Sequence, residues 1–253
     1  MATKSAKPTE VNTKESMGFL LGGLSGLGGL GVATVVPFSV LQKPMKQKVT
    51  IVALGDSTTA GTPGWKSRLE ASPQGVGDET SQYAWWLMEA HPEWQVLNHG
   101  VDGERSDQIR GRFERDVVDH APRAVVIIAG VNDVYQGREA QHVIEQLAAM
   151  YGRAAREKIP VVAGTIVPYN TATKEQNARM RTINDWIRTR AAEDPNVSLA
   201  DTRAAVAAAD DGDRLFESPD DLHPSPAGYR RMAVAIRPVL EMLLKESQGS
   251  PQP

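Results

Sequence analysis

From residue 48 onward, short runs of apolar residues alternate with longer segments in which apolar residues recur every three or four positions. The short runs are rich in Val, Ile and Ala, a composition typical of buried β-strands. Five such runs predict strands at 49–54, 95–97, 124–129, 160–167 and 197–200. The run at 124–129 is the most hydrophobic, so we expect it at the centre of a sheet.

The segments between these runs have the spacing of amphipathic helices. Ile109, Phe113 and Val117 recur every four residues, which predicts a single helix over 105–120. Further helices are predicted around 82–91, 143–151, 180–187 and 229–243. This alternation predicts a parallel sheet covered by helices on both faces, in one doubly wound α/β domain. In such a domain, catalytic and binding residues lie in the loops at the carboxyl ends of the strands.

The first 46 residues differ in kind from the rest of the chain. Residues 16–42 carry no charge and include seven glycines. The segment is long enough to span a membrane, but each glycine weakens a helix by about 1 kcal/mol relative to alanine. A membrane anchor, an export signal and a leader foreign to the folded domain are three open interpretations. We expect a leader at 1–46, a folded domain at 47–245 and a flexible tail at 246–253.

Composition narrows the classes of function. Lys and Arg number 28 against 31 Asp and Glu, which gives a formal net charge of -3. A nucleic-acid-binding domain normally presents a basic surface, so nucleic acid is not an expected partner. The chain has no cysteine, which excludes disulfides, thiolate catalysis and Cys-ligated zinc. Neither the oligomeric state nor the redox compartment follows from these numbers.

A serine directly follows the first predicted strand, in the tripeptide Gly55-Asp56-Ser57. At the carboxyl edge of a sheet its hydroxyl can face a cleft, while a backbone N–H group faces a developing oxyanion. The tripeptide alone is more typical of a helix cap or a turn. It therefore becomes a candidate nucleophile only together with a suitable base.

A candidate base lies near the C-terminal end, in Asp220-Asp221-Leu222-His223-Pro224. A histidine takes up a serine proton efficiently when its other ring nitrogen is held, usually by a carboxylate. A carboxylate three residues earlier can fold back onto the ring within one local turn. An ordinary acidic loop with a surface histidine would have the same sequence.

Two more loops carry groups that could stabilise an oxyanion. Asn132 follows the central strand in Gly-Val-Asn-Asp, and Gly103 ends the sequence Asn-His-Gly-Val-Asp-Gly after the second strand. An asparagine side chain can donate an N–H group, and a glycine lets the main chain come close to a ligand. Each sequence alone also favours a simple turn. The joint arrangement of all four blocks is far more specific than any one of them.

These four blocks together resemble the SGNH, or GDSL-type, serine esterase and lipase family. Its marker residues match Ser57, Gly103, Asn132 and His223, in the family's order, and the resemblance covers roughly residues 48–244. The residue after the GDS triplet is Thr58 instead of the leucine of the GDSL name, which leaves the subfamily open. The resemblance implies a single flavodoxin-like, three-layer αβα domain with a central parallel sheet of about five strands.

The resemblance also implies a role for each matched residue. Ser57 would be the nucleophile and His223 the general base and acid. The family's Asp-x-x-His spacing selects Asp220, and not Asp221, as the residue that orients the imidazole. The backbone N–H groups of Ser57 and Gly103, with the Asn132 side chain, would form the oxyanion hole. No metal or organic cofactor is required by this chemistry.

The expected function is cleavage of carboxylic esters through an acyl-enzyme intermediate. Short acyl groups on small alcohols or carbohydrates are the expected substrates, because no long insertion supplies a hydrophobic lid. A lysophospholipase or thioesterase is the alternative within the family, and a non-catalytic glycan-binding module is the alternative outside it. Membrane contact is expected only if residues 16–42 act as an anchor. The protein is cytoplasmic if residues 1–46 are not a signal, and otherwise exported or membrane-anchored.

Several aromatic and histidine side chains lie in or near the predicted catalytic loops. Trp65, Tyr135 and Tyr169 follow the first, third and fourth strands and are candidates to line a substrate pocket, although such residues also simply pack on a domain. The histidines outside the matched blocks have no metal-ligand spacing, and we expect structural or solvated roles for them; they are His91, His99, His120 and His142.

Overall fold

The computed structural model describes residues 48–249, which contain a central sheet of five strands. The strands in chain order are β1 (Val49–Gly55), β2 (Trp65–Lys66), β3 (Val76–Gly77), β4 (Trp94–Gly100), β5 (Ala124–Ile128), β6 (Val161–Gly164) and β7 (Val197–Ala200). The five longer strands pair in parallel in the order β4-β1-β5-β6-β7, while β2 and β3 form a separate antiparallel ribbon. This is the flavodoxin-like strand order, and it confirms the predicted fold class.

Helices cover both faces of the sheet. They are α1 (Ser57–Ala60), α2 (Tyr83–Ala90), α3 (Ser106–Gly111), α4 (Phe113–Asp116), α5 (Val131–Tyr135), α6 (Ala140–Arg156), α7 (Lys174–Glu193), α8 (Thr202–Val206) and α9 (Pro226–Gly249), with short 3₁₀ turns at Glu79–Ser81 and Val118–His120. Successive residues of β1 point to opposite faces, so Val52 belongs to the core that includes residues of α3, α6 and α7, and Ala53 to the core that includes residues of α2 and α9. Two separate hydrophobic cores result, one on each side of the sheet.

The strand order places a crevice at the carboxyl ends of β1 and β5. The chain leaves β1 towards its neighbour β4 on one side, and leaves β5 towards β6 on the other. Connections that diverge from adjacent parallel strands open a cleft between them, which is the usual ligand site of doubly wound sheets. Ser57 follows β1 and Asn132 follows β5, so both predicted site residues lie at this point.

The helix predicted over 105–120 is wrong as a single element. The chain forms α3, α4 and a 3₁₀ turn, with the first break at Arg112. The guanidinium of Arg112 is buried and donates to the main-chain carbonyls of His99 and Gly55, at 2.9 Å each. Apolar spacing cannot reveal such a break, because it arises from polar contacts with distant strands.

The strand predicted over 160–167 is shorter in the structure. β6 ends at Gly164, although the next five residues are also buried. The N–H and C=O groups of Ile166 bond to the Asn184 side chain, at 2.7 and 2.9 Å, and not to a neighbouring strand. The apolar run thus continues into a buried loop whose backbone is paired by a side chain.

The predicted leader at 1–46 and the candidate anchor at 16–42 lie outside the described residues. Within residues 48–249, no helix has the length and hydropathy needed to cross a membrane. At the other end, α9 extends to Gly249, beyond the predicted domain end at residue 245.

Candidate active site

Ser57, His223 and Asp220 form a continuous hydrogen-bonded line. Ser57 Oγ lies 2.9 Å from His223 Nε2, and His223 Nδ1 lies 2.7 Å from Asp220 Oδ2. Ser57 follows β1 and His223 lies in the turn before α9, so the fold brings together residues that are 166 positions apart in the sequence. The structure thus brings together the three residues that the sequence analysis names, and it places Asp220, and not Asp221, beside the ring nitrogen.

Ser57 lies in a tightly packed turn at the N-terminus of α1. Asp56 caps this helix, because its Oδ1 accepts a hydrogen bond from the Thr58 N–H at 3.0 Å. Gly55 is required by space: a Cβ there would overlap Thr59 Oγ1 and the Ile128 carbonyl. Ser57 itself is only 3% exposed, so its hydroxyl is reached through the adjacent cavity.

His223 and Asp220 lie in a more open turn. Asp220 Oδ1 accepts the backbone N–H groups of Leu222 and His223, at 3.0 and 2.8 Å. Partial burial alone would raise the pKa of Asp220, but the hydrogen bonds from the imidazole and from these N–H groups outweigh it and lower that pKa below its ordinary value. Asp220 is therefore ionised at neutral pH, the form that stabilises an imidazolium beside it.

Asp56 is a buried carboxyl group next to Ser57. The pKa of Asp56 is raised to about 7, because the effect of burial outweighs the hydrogen bonds from Thr58, which lower the pKa. Its second oxygen, Oδ2, is buried and has no partner among the described residues. The sequence pattern is typical of a cap or a turn at this tripeptide, and it gives no sign of this buried environment.

The two predicted oxyanion loops are joined to each other. Asn132 Nδ2 donates to the carbonyl of Glu104 at 3.0 Å, next to Gly103. Gly103 has a φ of 72°, a left-handed conformation that favours glycine. Asn132 lines the cavity, whereas at the Gly103 loop the residue that lines it is Asp102. One hydrogen of the Asn132 amide is thus engaged by Glu104, and the other has no partner among the described residues.

Two further polar residues, Asp133 and Arg112, brace these loops. The Asp133 carboxylate is fully buried and accepts the N–H and hydroxyl of Ser106, at 2.7 and 2.9 Å. Arg112 donates to Glu104 at 2.7 Å while also holding the ends of β1 and β4. Their partners are distant in sequence, so no local pattern predicts these contacts.

A cavity of about 170 Å³ opens beside Ser57 and His223. Its apolar wall comprises Val131, Tyr135, Tyr169 and Leu222. The rings of Tyr135 and Tyr169 meet edge to face, with centroids 5.8 Å apart. Two of the three predicted pocket aromatics therefore lie at the cavity.

Trp65, the third predicted pocket aromatic, does not line this cavity. It lies in the β2–β3 ribbon with only 8% exposure and borders a separate cavity with Trp85 and Asn98. The prediction fails because the chain after α1 folds away into the ribbon. Position after a strand does not show which way a longer loop turns.

The remaining histidines have structural contacts. His99 is buried and its Nδ1 lies 2.8 Å from the Asp116 carbonyl, while burial lowers its pKa to about 4. His142 joins Asp107 and Asp133 in a group whose potential ligand atoms lie within 4.8 Å of one another. Both oxygens of Asp133 are bonded to Ser106, and both oxygens of Asp107 to Arg105. Protein donors therefore account for these two carboxylates.

Two curated proteins and one solved structure illustrate what this chain is similar to. Acetylxylan esterase from Geobacillus stearothermophilus is 29% identical over 183 residues, which are 66% of this chain and 83% of that protein. Platelet-activating factor acetylhydrolase IB subunit alpha1 from Homo sapiens is 26% identical over 162 residues, 62% of this chain and 69% of that protein. The crystal structure of a member of the lipolytic protein G-D-S-L family from Veillonella parvula superposes with a TM-score of 0.64 at 21% identity, covering 76% of this chain and 98% of that one.

The family assignment rests on most of the folded chain. The sequence pattern of the GDSL-like lipase/acylhydrolase family matches residues 53–231, from β1 to the first turns of α9. This range includes the Ser57 turn, both oxyanion loops and the His223 turn. The chain belongs to the GDSL-like lipase/acylhydrolase family and is an esterase of that family.

Proposed function

We propose that Ser57, His223 and Asp220 catalyse ester hydrolysis in this enzyme through an acyl-enzyme intermediate. The observation that carries the proposal is the unbroken line of contacts at 2.9 and 2.7 Å from the serine hydroxyl to the carboxylate. Geometry of this kind lets one imidazole serve as base and then as acid. Both reacting groups, Ser57 and His223, also line the cavity.

In the first half-reaction, Ser57 Oγ attacks the ester carbonyl carbon while His223 Nε2 takes the hydroxyl proton. The bond to the leaving alcohol breaks as the same nitrogen returns the proton to the alcohol oxygen. In the second half-reaction, water attacks the acyl-enzyme and His223 takes its proton. The bond between the acyl carbon and Ser57 Oγ then breaks as His223 Nε2 returns the proton to Oγ, which releases the acid and regenerates Ser57. Ionised Asp220 stabilises the imidazolium that forms in both halves.

The oxyanion formed in each half-reaction needs hydrogen-bond donors. The N–H of Ser57 is the first in α1, and the first N–H groups of a helix have no partner within it. We assign the other two donors to the N–H of Gly103 and to Nδ2 of Asn132. Loss of one such donor typically costs about 3 kcal/mol of transition-state stabilisation.

Hydrolysis of p-nitrophenyl acetate by Ser57→Ala tests the nucleophile. We expect kcat/KM to fall at least about 10⁴-fold, because only binding and oxyanion stabilisation remain. Ser198→Ala, on β7 at the opposite edge of the sheet from β4, is the matched control and should keep full activity. A folded Ser57→Ala protein with substantial activity would remove the basis of the proposal.

We infer that the enzyme prefers short acyl groups on small alcohols or carbohydrates. A cavity of about 150 Å³ holds a molecule the size of benzene, so the cavity of about 170 Å³ suits a short acyl chain. The names of both curated relatives refer to acetyl groups. A series of p-nitrophenyl esters from acetate upward tests this preference. Activity that peaks at octanoate or beyond would instead favour a lysophospholipase or thioesterase.

We further propose that residues 47–245 contain everything needed for catalysis. The described site residues all lie between Ser57 and His223. A chain shortened to residues 45–253 should therefore match the full chain in kcat/KM. If the shortened protein were folded but inactive while the full chain was active, the leader would have to contribute to the reaction.

A further inference from the structure

The turn that carries His223 contains a residue in an unfavourable backbone conformation. Asp221, between Asp220 and His223, has a φ of 63°. This left-handed region is uncommon for residues other than glycine, and asparagine and aspartate tolerate it best. Such a conformation persists when surrounding contacts hold it. The contacts of Asp221 therefore bear on the geometry of the base.

Those contacts come from one residue on another loop, Asn170, which follows β6. The Asn170 backbone N–H donates to the Asp221 carbonyl at 2.8 Å. Its side-chain Nδ2 donates to Asp221 Oδ1 at 3.0 Å, and its Oδ1 accepts the Leu215 N–H at 2.9 Å. Asn170 thus holds the main chain and the side chain of Asp221, and fixes both to the segment that leads into the turn.

The conformation of this turn decides where the imidazole points. Both oxygens of Asp220 are used within the turn, Oδ1 by backbone N–H groups and Oδ2 by the imidazole. Ser218 Oγ also donates to the His223 carbonyl at 2.7 Å. The ring is therefore fixed to the turn, and a shift of the backbone at Asp221 moves the ring relative to Ser57.

Asn170 itself does not line the catalytic cavity; its neighbour Tyr169 does. Its effect on the reaction has to pass through the turn, and for that reason a change at Asn170 should alter the chemical step more than substrate binding. An exposed polar contact with no catalytic consequence is the competing interpretation. The two differ in what they predict for kcat.

We propose that Asn170 and Asp221 form a positioning pair that holds His223 within hydrogen-bond reach of Ser57. The inference rests on the proposed catalytic roles of Ser57 and His223. Without the pair, the turn relaxes and fewer molecules hold the imidazole in the reactive position at any moment. Acylation and deacylation use the same imidazole, so both slow together. The expected signature is a lower kcat with little change in KM.

The test exchanges donor and acceptor within the pair, in the full chain with p-nitrophenyl acetate as substrate. N170D keeps the size of the side chain and the acceptor for Leu215, but sets two carboxylates against each other. We expect kcat to fall about tenfold to 100-fold, the size of effect that a misplacement near 1 Å produces. D221N keeps the acceptor oxygen and tolerates the left-handed backbone, so its kcat should stay near the wild-type value. The double variant N170D/D221N restores the bond with its direction reversed and should recover most of the lost kcat.

Asn196→Asp is the matched control for these isosteric changes. Asn196 Nδ2 donates to the Ile159 carbonyl at 3.0 Å, at the opposite end of the strands from the catalytic turn. The control loses a comparable bond and should keep the wild-type kcat. It separates loss of positioning from general destabilisation, which thermal unfolding of all variants measures directly.

Three results would overturn the positioning pair. These are full kcat in N170D, no recovery in the double variant, or a rise in KM alone. Ser57→Ala, measured alongside, separates the two proposals. If it is inactive while N170D is fully active, the pair is rejected and the proposed function stands. If Ser57→Ala is active, the proposed function fails first.

Discussion

The turn that carries Ser57 and the turn that carries His223 meet at one cavity, yet different forces hold them. Residues 55–60 are all buried, and glycines at 55 and 100 let β1, β4 and α1 approach closely. Asp220 and Asp221 are exposed, and hydrogen bonds from Asn170, Leu222 and His223 hold their turn. Ser57 is placed by close packing, and His223 by polar contacts.

The difference shows in two carboxyl groups that flank the reacting residues. Burial raises the pKa of Asp56 to about 7, whereas the hydrogen bonds on Asp220 lower its pKa despite partial burial. The packed turn therefore disfavours a charge beside Ser57, and the open turn favours one beside His223. In the turn that carries Ser57, we therefore expect changes in side-chain volume to have the largest effects. In the turn that carries His223, we expect changes in charge and hydrogen bonding to have the largest effects.

The largest effect is expected for Asp220→Asn, which alters the polar contacts in the turn that carries His223. The amide no longer stabilises the imidazolium and favours the wrong ring tautomer. In the serine-protease triad the equivalent change lowers kcat about 10⁴-fold, and we expect a loss approaching that size in p-nitrophenyl acetate hydrolysis. Thermal stability should change little, since the turn is half exposed. A loss below about tenfold would show that Asp220 is not the orienting group.

Gly100→Ala disrupts the close packing around the turn that carries Ser57. A Cβ at this position would overlap the backbone of Ala60 in α1, and backbone cannot move aside as a flexible side chain can. We expect the free energy of unfolding, measured with urea, to fall by about 3 kcal/mol or more. Gly212→Ala, in the loop before the His223 turn, is the control, because nothing lies within 4 Å of its Cβ. Equal stability of the two variants would contradict the packing argument.

Asp56→Asn tests the effect of burial on Asp56 through the pH dependence of stability. The pKa of Asp56 is about 7 in the folded protein against an ordinary value of 3.8, so the folded state holds a proton that the unfolded state has released. Its contribution to stability is present below pH 4 and is lost as pH rises to 7, by about 1 kcal/mol per pH unit. Asparagine caps a helix equally well and does not ionise.

The measurement is the free energy of unfolding of both proteins at several pH values between 4 and 8. The difference between wild type and Asp56→Asn cancels the contributions of all other titrating groups. We expect the variant to gain relative stability steadily up to about pH 7 and then to level off. A difference that does not change with pH would mean that Asp56 is ionised throughout.

Sequence patterns predicted the parts of the molecule that depend on local order. Each run of apolar, β-branched residues contains a strand, since such a run can be buried on both faces of a parallel sheet. Ser57, Asn132 and His223 could be predicted as site residues because each stands at a fixed place relative to a strand or to a neighbouring carboxylate. The parallel order of the strands then brings these loops to one edge.

The rest depends on contacts between distant residues. Arg112 interrupts a regular helical pattern because its guanidinium reaches the ends of β1 and β4. Asn170 reaches Asp221 across a separation of 51 residues, and Trp65 turns into the ribbon and away from the catalytic cavity. No spacing rule in a single sequence encodes such pairings, because each depends on where the completed sheet places two loops.

The proposed mechanism requires that Ser57 carries the acyl group. The most direct test mixes the full chain with p-nitrophenyl acetate, quenches it within the first turnover and locates the added mass by peptide mass spectrometry. We predict a burst of one p-nitrophenol per protein and one acetyl group on the peptide that contains Ser57, with neither in Ser57→Ala. Acetylation of another residue that turns over at the catalytic rate, or turnover in Ser57→Ala, would contradict the account.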